Sequence, residues 1–217
     1  MCGICGELRL DGRQPDAGVL DRMLSKLERR GPDHEGRYLT ETAALGHRRL
    51  SVIDLSTASN QPWVDEKLGL ALVFNGAIYN YKELRAELIG KGFSFVSEGD
   101  TEVVLKAYAA WGESFASRLH GMFAIAILDS RRHQLVLARD RFGIKPLYYS
   151  HDRQAFRFAS NTQALLAAGG VDTGFDPVAL PLQDYRAGVV GEPNRSRGKN
   201  AENGQEFKGP EHGRSIP

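Results

Sequence analysis

Both cysteines of the chain fall within its first five residues, in the run MCGICG, and that placement admits three chemistries. A C-x-x-C pair acts as a redox dithiol when it opens a helix, whose N-terminal dipole lowers a thiol pKa. Here the residues that follow, Ile4 to Leu10, alternate loosely between apolar and polar and predict a strand, which argues against that use. A structural zinc site needs four ligands, and with no second cysteine pair it would have to recruit histidines such as His34 and His47. The third chemistry follows from removal of Met1, which would give Cys2 a free α-amino group beside its thiol. Such an amine has a pKa of about 7.7 to 8.0, so one residue would supply nucleophile and general base together. Cys5, placed by the pleat away from Cys2, is expected to be a small buried residue.

The elements that would carry these groups can be read from periodicity. Asp11-Gly12 ends the first strand, and Val19, Leu20, Met23, Leu24 and Leu27 share one face of a helix that Gly31-Pro32 stops. Ala43 to His47 and Leu50 to Leu55 read as strands, followed by a loop from Ser56 to Pro62, and Leu70 to Phe74 is apolar enough to be buried on both faces. Asn80 with Glu83 forms a capping-box pattern for a helix from Tyr81 to about Ile89, and Thr101 predicts a cap for the helix that runs to Trp111-Gly112. Met122 to Asp129 and Gln134 to Arg139 predict a hairpin. Strands at Leu147 to Ser150 and Ala155 to Ala159 then precede a short helix, Thr162 to Ala168. Strands with helices interspersed, without a regular strand-helix-strand rhythm, predict an α+β layered fold rather than a doubly wound sheet.

The 217 residues suffice for one sizeable core, and 41% hydrophobic with 25% charged residues is ordinary for a globular protein. A formal net charge of +1 gives no electrostatic footprint for nucleic acid or a membrane surface, and no stretch has the length or pattern of a membrane span or secretory signal. A cytoplasmic protein with a small ligand is the expectation; oligomeric state is left open. After Leu182 the sequence is rich in Gly, Pro, Asn and charge, so 1–180 reads as one domain and 181–217 as a disordered tail.

Five further motifs follow MCGICG in order: RRGPD (Arg29 to Asp33), GHRRLSVID (Gly46 to Asp54), FNGAIYNYKELR (Phe74 to Arg85), EGDTEV (Glu98 to Val103) and RDRFGIKPLYY (Arg139 to Tyr149). Together they resemble the glutamine amidotransferase domain of the glutamine-hydrolysing asparagine synthetase family, the class II type with an N-terminal cysteine nucleophile, over residues 1 to about 180. Within that family the wording is also similar to the subgroup that makes N-acetylglutaminylglutamine amide. The resemblance implies the N-terminal nucleophile hydrolase fold, a four-layer αββα sandwich with two antiparallel sheets. It implies hydrolysis of glutamine's side-chain amide by the Cys2 thiolate, releasing ammonia and then glutamate from a thioester.

By the same resemblance, the Asn75 side chain and the Gly76 N–H form the oxyanion hole, which meets the need of a tetrahedral oxyanion for preorganised donors. Arg49 would hold the glutamine carboxylate, for which a bidentate guanidinium is suited, and Asp100 the ammonium. The backbone of Leu50, Ser51, Val52 and Ile53 lines the pocket in the family, and Arg30 supports the loop near the nucleophile. RDRFGIKPLYY has no atom evidently destined for chemistry and reads as structural. One departure stands out: the family's usual NGE is NGA here, with Ala77 where a glutamate also touches the substrate's amino group, so ammonium binding would rest more heavily on Asp100.

No cofactor is expected in this chain. ATP and magnesium belong to the family's synthetase domain, whose SGG-x-DS loop has no counterpart here. The expected partners are glutamine and an ammonia-accepting synthetase domain or subunit. Two other roles stay open: a truncated or frame-shifted remnant of a full-length synthetase, which the tail's lack of a core-forming pattern favours over a partner-docking arm, and a glutamine-sensing domain without turnover.

Overall fold

A computed structural model describes residues 1–52, 57–171 and 173 of the chain. The N-terminal run enters β1 (Gly3–Arg9), and α1 (Ala17–Ser25) follows, opened by the Asp16 carboxylate accepting from the Gly18 N–H at 2.8 Å. α1 is shorter than its apolar face predicts. A separate 3-10 turn, Glu28–Arg30, completes the path to Gly31 while Leu27 stays buried. Next come β2 (His34–Leu39), β3 (Ala43–Arg49), β4 (Trp63–Asp65) and β5 (Leu70–Ile78), then α2 (Tyr81–Gly90) and α3 (Asp100–Trp111). The remaining elements are β6 (Gly121–Asp129), β7 (Gln134–Arg139), β8 (Tyr148–His151), β9 (Ala155–Ala159) and α4 (Thr162–Ala167).

Both sheets are antiparallel throughout, one ordered β2-β3-β1-β9-β8 and the other β4-β5-β6-β7. Side-chain alternation divides the apolar residues into three layers. α1 and α4 cover one face of the first sheet through Leu20, Met23 and Leu24 packed on Cys5, Ala44 and Ala159. Ile4, Leu45 and Phe158 on its other face meet Ala71, Val73, Ala124 and Ala126 of the second sheet. Leu72, Phe74, Ile125 and Ile127 then face Leu84, Leu88, Val104 and Leu105 of α2 and α3. The result is the expected α-β-β-α sandwich, contained in the unit Met1–Thr173.

Three local readings need correction. Leu50 to Leu55 is not a strand where it is described: β3 ends at Arg49, and Leu50 to Val52 leave the sheet. The reason lies in their partners, because the Leu50 N–H meets Cys2 Sγ and the Ser51 N–H meets the Asp33 carboxylate. Asn80 makes no cap bond to α2. Its side chain instead donates to the Arg118 carbonyl at 3.0 Å and accepts from the His120 N–H at 2.9 Å, tying the helix start to the chain before β6. α3 begins two residues earlier than expected, with Asp100 inside the helix and Gly99, not Thr101, at the cap position. The Asp100 carboxylate takes its own and the Thr101 backbone N–H, while the Thr101 hydroxyl accepts from Gln61 Nε2 at 3.3 Å. The tail expected over 181–217 lies outside the described residues.

Candidate active site

Cys2 sits just before β1, which pairs Gly3 with Arg48 and so brings the start of the chain to the end of β3. Its Sγ lies 3.4 Å from the Leu50 nitrogen and 3.5 Å from the Leu50 oxygen. Arg30 anchors the cysteine from the other side: Nε donates to the Cys2 carbonyl at 3.0 Å. Burial holds the pKa of the half-buried guanidinium below the usual arginine value. Cys5 points the opposite way. It is fully buried among Leu20, Leu24 and Gly46, and burial pushes its thiol pKa far above the ordinary range.

Arg49 is almost fully buried and donates from Nη1 to Asn60 Oδ1 at 2.6 Å. Its carbonyl accepts from the Asp33 N–H at 3.0 Å, and Asp33 Oδ2 takes the Ser51 N–H at 2.8 Å. The segment from Arg49 to Ser51 is thus braced from both sides, with Cys2 against Leu50. Val52 is 73% exposed, whereas Ile53 lies outside the described residues.

β5 presents the second half of the site. Ala71 and Val73 pack toward the first sheet and Leu70, Leu72 and Phe74 toward the helices, so alternation puts Asn75 and Ala77 on the side of the first sheet. Asn75 is 2% exposed, and its buried Nδ2 has no partner among the described residues. Gly76 pairs with Phe123, whose own N–H and C=O bond Asp140 on the far side, at 3.1 and 2.8 Å. Gly76 is therefore in a non-hydrogen-bonded pair, and its N–H points to the edge of β5 away from β6. A Cβ at Gly76 would run into the Met122 carbonyl and the Phe74 ring, which accounts for glycine at this position.

The same edge of β5 is closed on both sides of Gly76. On one side the Ile78 N–H donates to Asp100 Oδ2 at 2.9 Å. On the other, the Phe74 N–H donates to Gln61 Oε1 at 2.6 Å and the Phe74 carbonyl accepts from His47 Nε2 at 3.2 Å. Asp100 is 5% exposed, and burial raises its pKa against three backbone N–H groups, of Ile78, Asp100 and Thr101, that lower it. His47 is fully buried and desolvation lowers its pKa to about 3, so the ring is neutral at ordinary pH. Because its partner is a carbonyl, Nε2 carries the proton.

Residues 1–196 match the family described as the glutamine amidotransferase domain. The chain belongs to that family. It is 39% identical over 213 residues to asparagine synthetase [glutamine-hydrolyzing] 1 of Bacillus subtilis, covering 94% of this chain and 33% of that protein. It is 36% identical over 192 residues to asparagine synthetase B [glutamine-hydrolyzing] of Escherichia coli, covering 87% and 32%. An amidase of Gibberella zeae is 42% identical over 152 residues, covering 69% and 22%. The chain thus spans only a fifth to a third of these relatives' length. Among solved structures, the glutamine phosphoribosylpyrophosphate amidotransferase of B. subtilis superposes with a TM-score of 0.65 at 22% identity, over 77% of this chain and 44% of that one. That match bears out the N-terminal nucleophile hydrolase fold.

In this amidotransferase domain the expected residues fall into two groups, Cys2, Arg30 and Arg49 to Ser51 on the first sheet's end, and Asn75, Gly76, Ala77 and Asp100 on the second's. Sequence reasoning missed the side chains that brace them. Asp33 entered only as the end of the RRGPD motif, His47 only as a conceivable zinc ligand, and Asn60 and Gln61 carried no signal beyond lying near the GHRRLSVID motif. RDRFGIKPLYY fits its structural reading: Asp140 takes the N–H groups of Phe123, Ile144 and Lys145, and Arg139 donates to the carbonyls of Gly143 and Lys145. Among the described residues, no group of three or more His, Cys, Asp or Glu side chains could hold a metal ion, and no helix is long and apolar enough to cross a membrane.

Proposed function

We propose that this domain hydrolyses the side-chain amide of glutamine, with Cys2 as nucleophile. The observation that carries the reading is a thiol seated on the Leu50 backbone, in a fold whose second sheet offers two donors, Asn75 Nδ2, which has no partner among the described residues, and the Gly76 N–H, which faces away from β6. Sγ would attack the amide carbon as its proton passes to the Cys2 α-amine, freed by removal of Met1. The carbonyl π electrons move to oxygen, and the two donors receive the developing charge. Collapse of the adduct breaks the C–N bond, the amine's proton goes to the departing nitrogen, and ammonia leaves a thioester. Water then attacks the thioester and returns glutamate and the free thiol.

Recognition of the amino-acid end would fall to Arg49 for the carboxylate and Asp100 for the ammonium. A carboxylate accepts about four hydrogen bonds, so Asp100, with three backbone donors, keeps one direction for a ligand. Without a glutamate at position 77 this one anion bears most of the ammonium's charge. Only its ionised form attracts an ammonium, and its pKa is raised by burial. As pH falls through that raised value the carboxylate protonates, so KM for glutamine should begin to rise at a pH above the ordinary aspartate value of about 3.9. In Asp100→Asn, KM should be high and flat with pH; an acid limb surviving in that variant would assign it to another group.

We propose further that the ammonia acceptor is a separate domain or subunit, and that any requirement for ATP and magnesium belongs to it. The direct test is the intact mass of the purified protein before and after incubation with 6-diazo-5-oxo-norleucine, a glutamine analogue that alkylates nucleophilic cysteines. Loss of Met1 and one adduct on Cys2, together with ammonia release from glutamine, would establish the reading. Retention of Met1, or no adduct and no ammonia, would overturn it in favour of a glutamine-binding domain without turnover.

A further inference from the structure

The free edge of β5 poses a packing problem with a specific solution. β4 is three residues long and its pairing with β5 stops at Trp63 opposite Leu72. Phe74, the next residue whose backbone faces that edge, is 3% exposed, and a buried peptide group left unpaired is costly. Had β4 continued, its ladder would have satisfied Phe74 and then claimed Gly76 as well. Two side chains take the place of a strand for one residue only. Gln61 Oε1 receives the Phe74 N–H and His47 Nε2 donates to the Phe74 carbonyl. Both side chains are buried, at 6% and 0% exposure, and come from different parts of the chain, the residues before β4 and the middle of β3. Gln61 is itself fixed, since its Nε2 donates to the Thr101 hydroxyl of α3.

We propose that His47 and Gln61 are positioning residues for the oxyanion donors: by closing both backbone groups of Phe74 they set the orientation of the peptides that follow, so that the N–H of Gly76 and the side chain of Asn75 meet the reacting carbonyl. The inference rests on the glutaminase reading. The clamp ends the sheet where the ladder must stop, and Asp100 holds the other side at Ile78. His47 also joins the two sheets, because β3 and β5 belong to different ones. It thereby couples the strand that ends at Arg49 and Leu50, beside Cys2, to the strand that carries the donors. A neutral ring suits this task, since its hydrogen bond to Phe74 stays the same across the pH range of catalysis.

The test compares deletion of each hydrogen bond with its conservative replacement. His47→Leu and Gln61→Leu remove the donor and the acceptor. His47→Gln keeps an N–H donor, and Gln61→Glu keeps the acceptor for Phe74 while the Thr101 hydroxyl turns to donate. Turnover of glutamine is measured beside binding of glutamate γ-semialdehyde, whose adduct with Cys2 places an oxygen on the donors, and of glutamate, which forms no such adduct. Misdirecting preorganised donors should lower kcat about 10- to 100-fold in the leucine variants and weaken the aldehyde by a similar factor. KM and glutamate affinity should stay within about twofold, and the conservative variants should recover most of the loss. Unchanged turnover in the leucine variants would overturn the proposal, and so would an equal loss of glutamate binding, which signals general collapse. If the His47 variants do not fold, the Gln61 pair decides. If the wild-type protein neither turns over glutamine nor forms an adduct on Cys2, the glutaminase reading fails and the clamp's role with it; active wild type with unaffected variants removes the clamp alone.

Discussion

Replacing Cys2 by alanine is expected to slow glutamine hydrolysis by about 10⁴-fold or more, with glutamine still bound. Removing a nucleophile that works together with its base typically leaves only the contribution of binding and oxyanion donors. Cys2→Ser should fare little better, because a hydroxyl beside an amine of pKa about 8 is far harder to deprotonate than a thiol. The change touches little of the fold. Cys2 is half-buried, lies before the first strand and packs on the Leu50 backbone, outside the three apolar layers. Ammonia release assayed with an enzymatic couple, beside thermal unfolding, separates lost chemistry from lost structure. A mutant that retained turnover would place the nucleophile elsewhere.

The second large effect is expected at Asn75. Asn75→Ala should lower kcat by about 10²- to 10³-fold, the range found for loss of one oxyanion donor, with KM changed only a few-fold because the developing charge exists only in the transition state. Stability should move differently. Nδ2 is buried and has no partner among the described residues, so its removal deletes a desolvated donor rather than a hydrogen bond, and a buried unpaired polar group costs about 1 to 3 kcal/mol. The variant should therefore unfold at a temperature close to or above wild type while being catalytically crippled. Parallel losses of stability and turnover would instead identify Asn75 as part of the scaffold. Asn75→Asp should be slower than Asn75→Ala, since it sets a carboxylate against the incoming negative charge.

Much of this arrangement was legible in the chain, for physical reasons that differ by element. β5 declared itself by an apolar run that only burial on both faces explains, β6 with β7 by a hairpin pattern, and α1 by a single apolar stripe stopped at Gly31-Pro32. The order of short motifs implied Cys2, Asn75, Gly76, Arg49 and Asp100. What sequence did not reveal was where polar side chains turn when tertiary partners compete with local ones. Asn80 and Thr101 have the right types and spacing for caps, yet bond Arg118, His120 and Gln61, which lie 38, 40 and 40 residues away. His47 and Gln61 reach Phe74 across 27 and 13 residues, distances at which no periodicity speaks. β2 and β4 were missed for a related reason. Their exposed and half-buried residues give no clean alternation.

The opposite facing of the two thiols makes the native protein its own standard for active-site titration. Cys5 is sealed beneath α1 with its ionisation suppressed, so it reacts slowly with thiol reagents while the fold persists. Cys2 is the accessible partner. A folded chain takes up one equivalent of a maleimide or aromatic disulfide under native conditions and a second only in denaturant, whereas an unfolded chain takes up both at once. The further uptake in denaturant, per chain, therefore gives the fraction of a preparation that is correctly folded, with no substrate needed. Oxidative inactivation should likewise proceed by sulfenic acid formation at Cys2 rather than by an internal disulfide, and be reversed by added thiol.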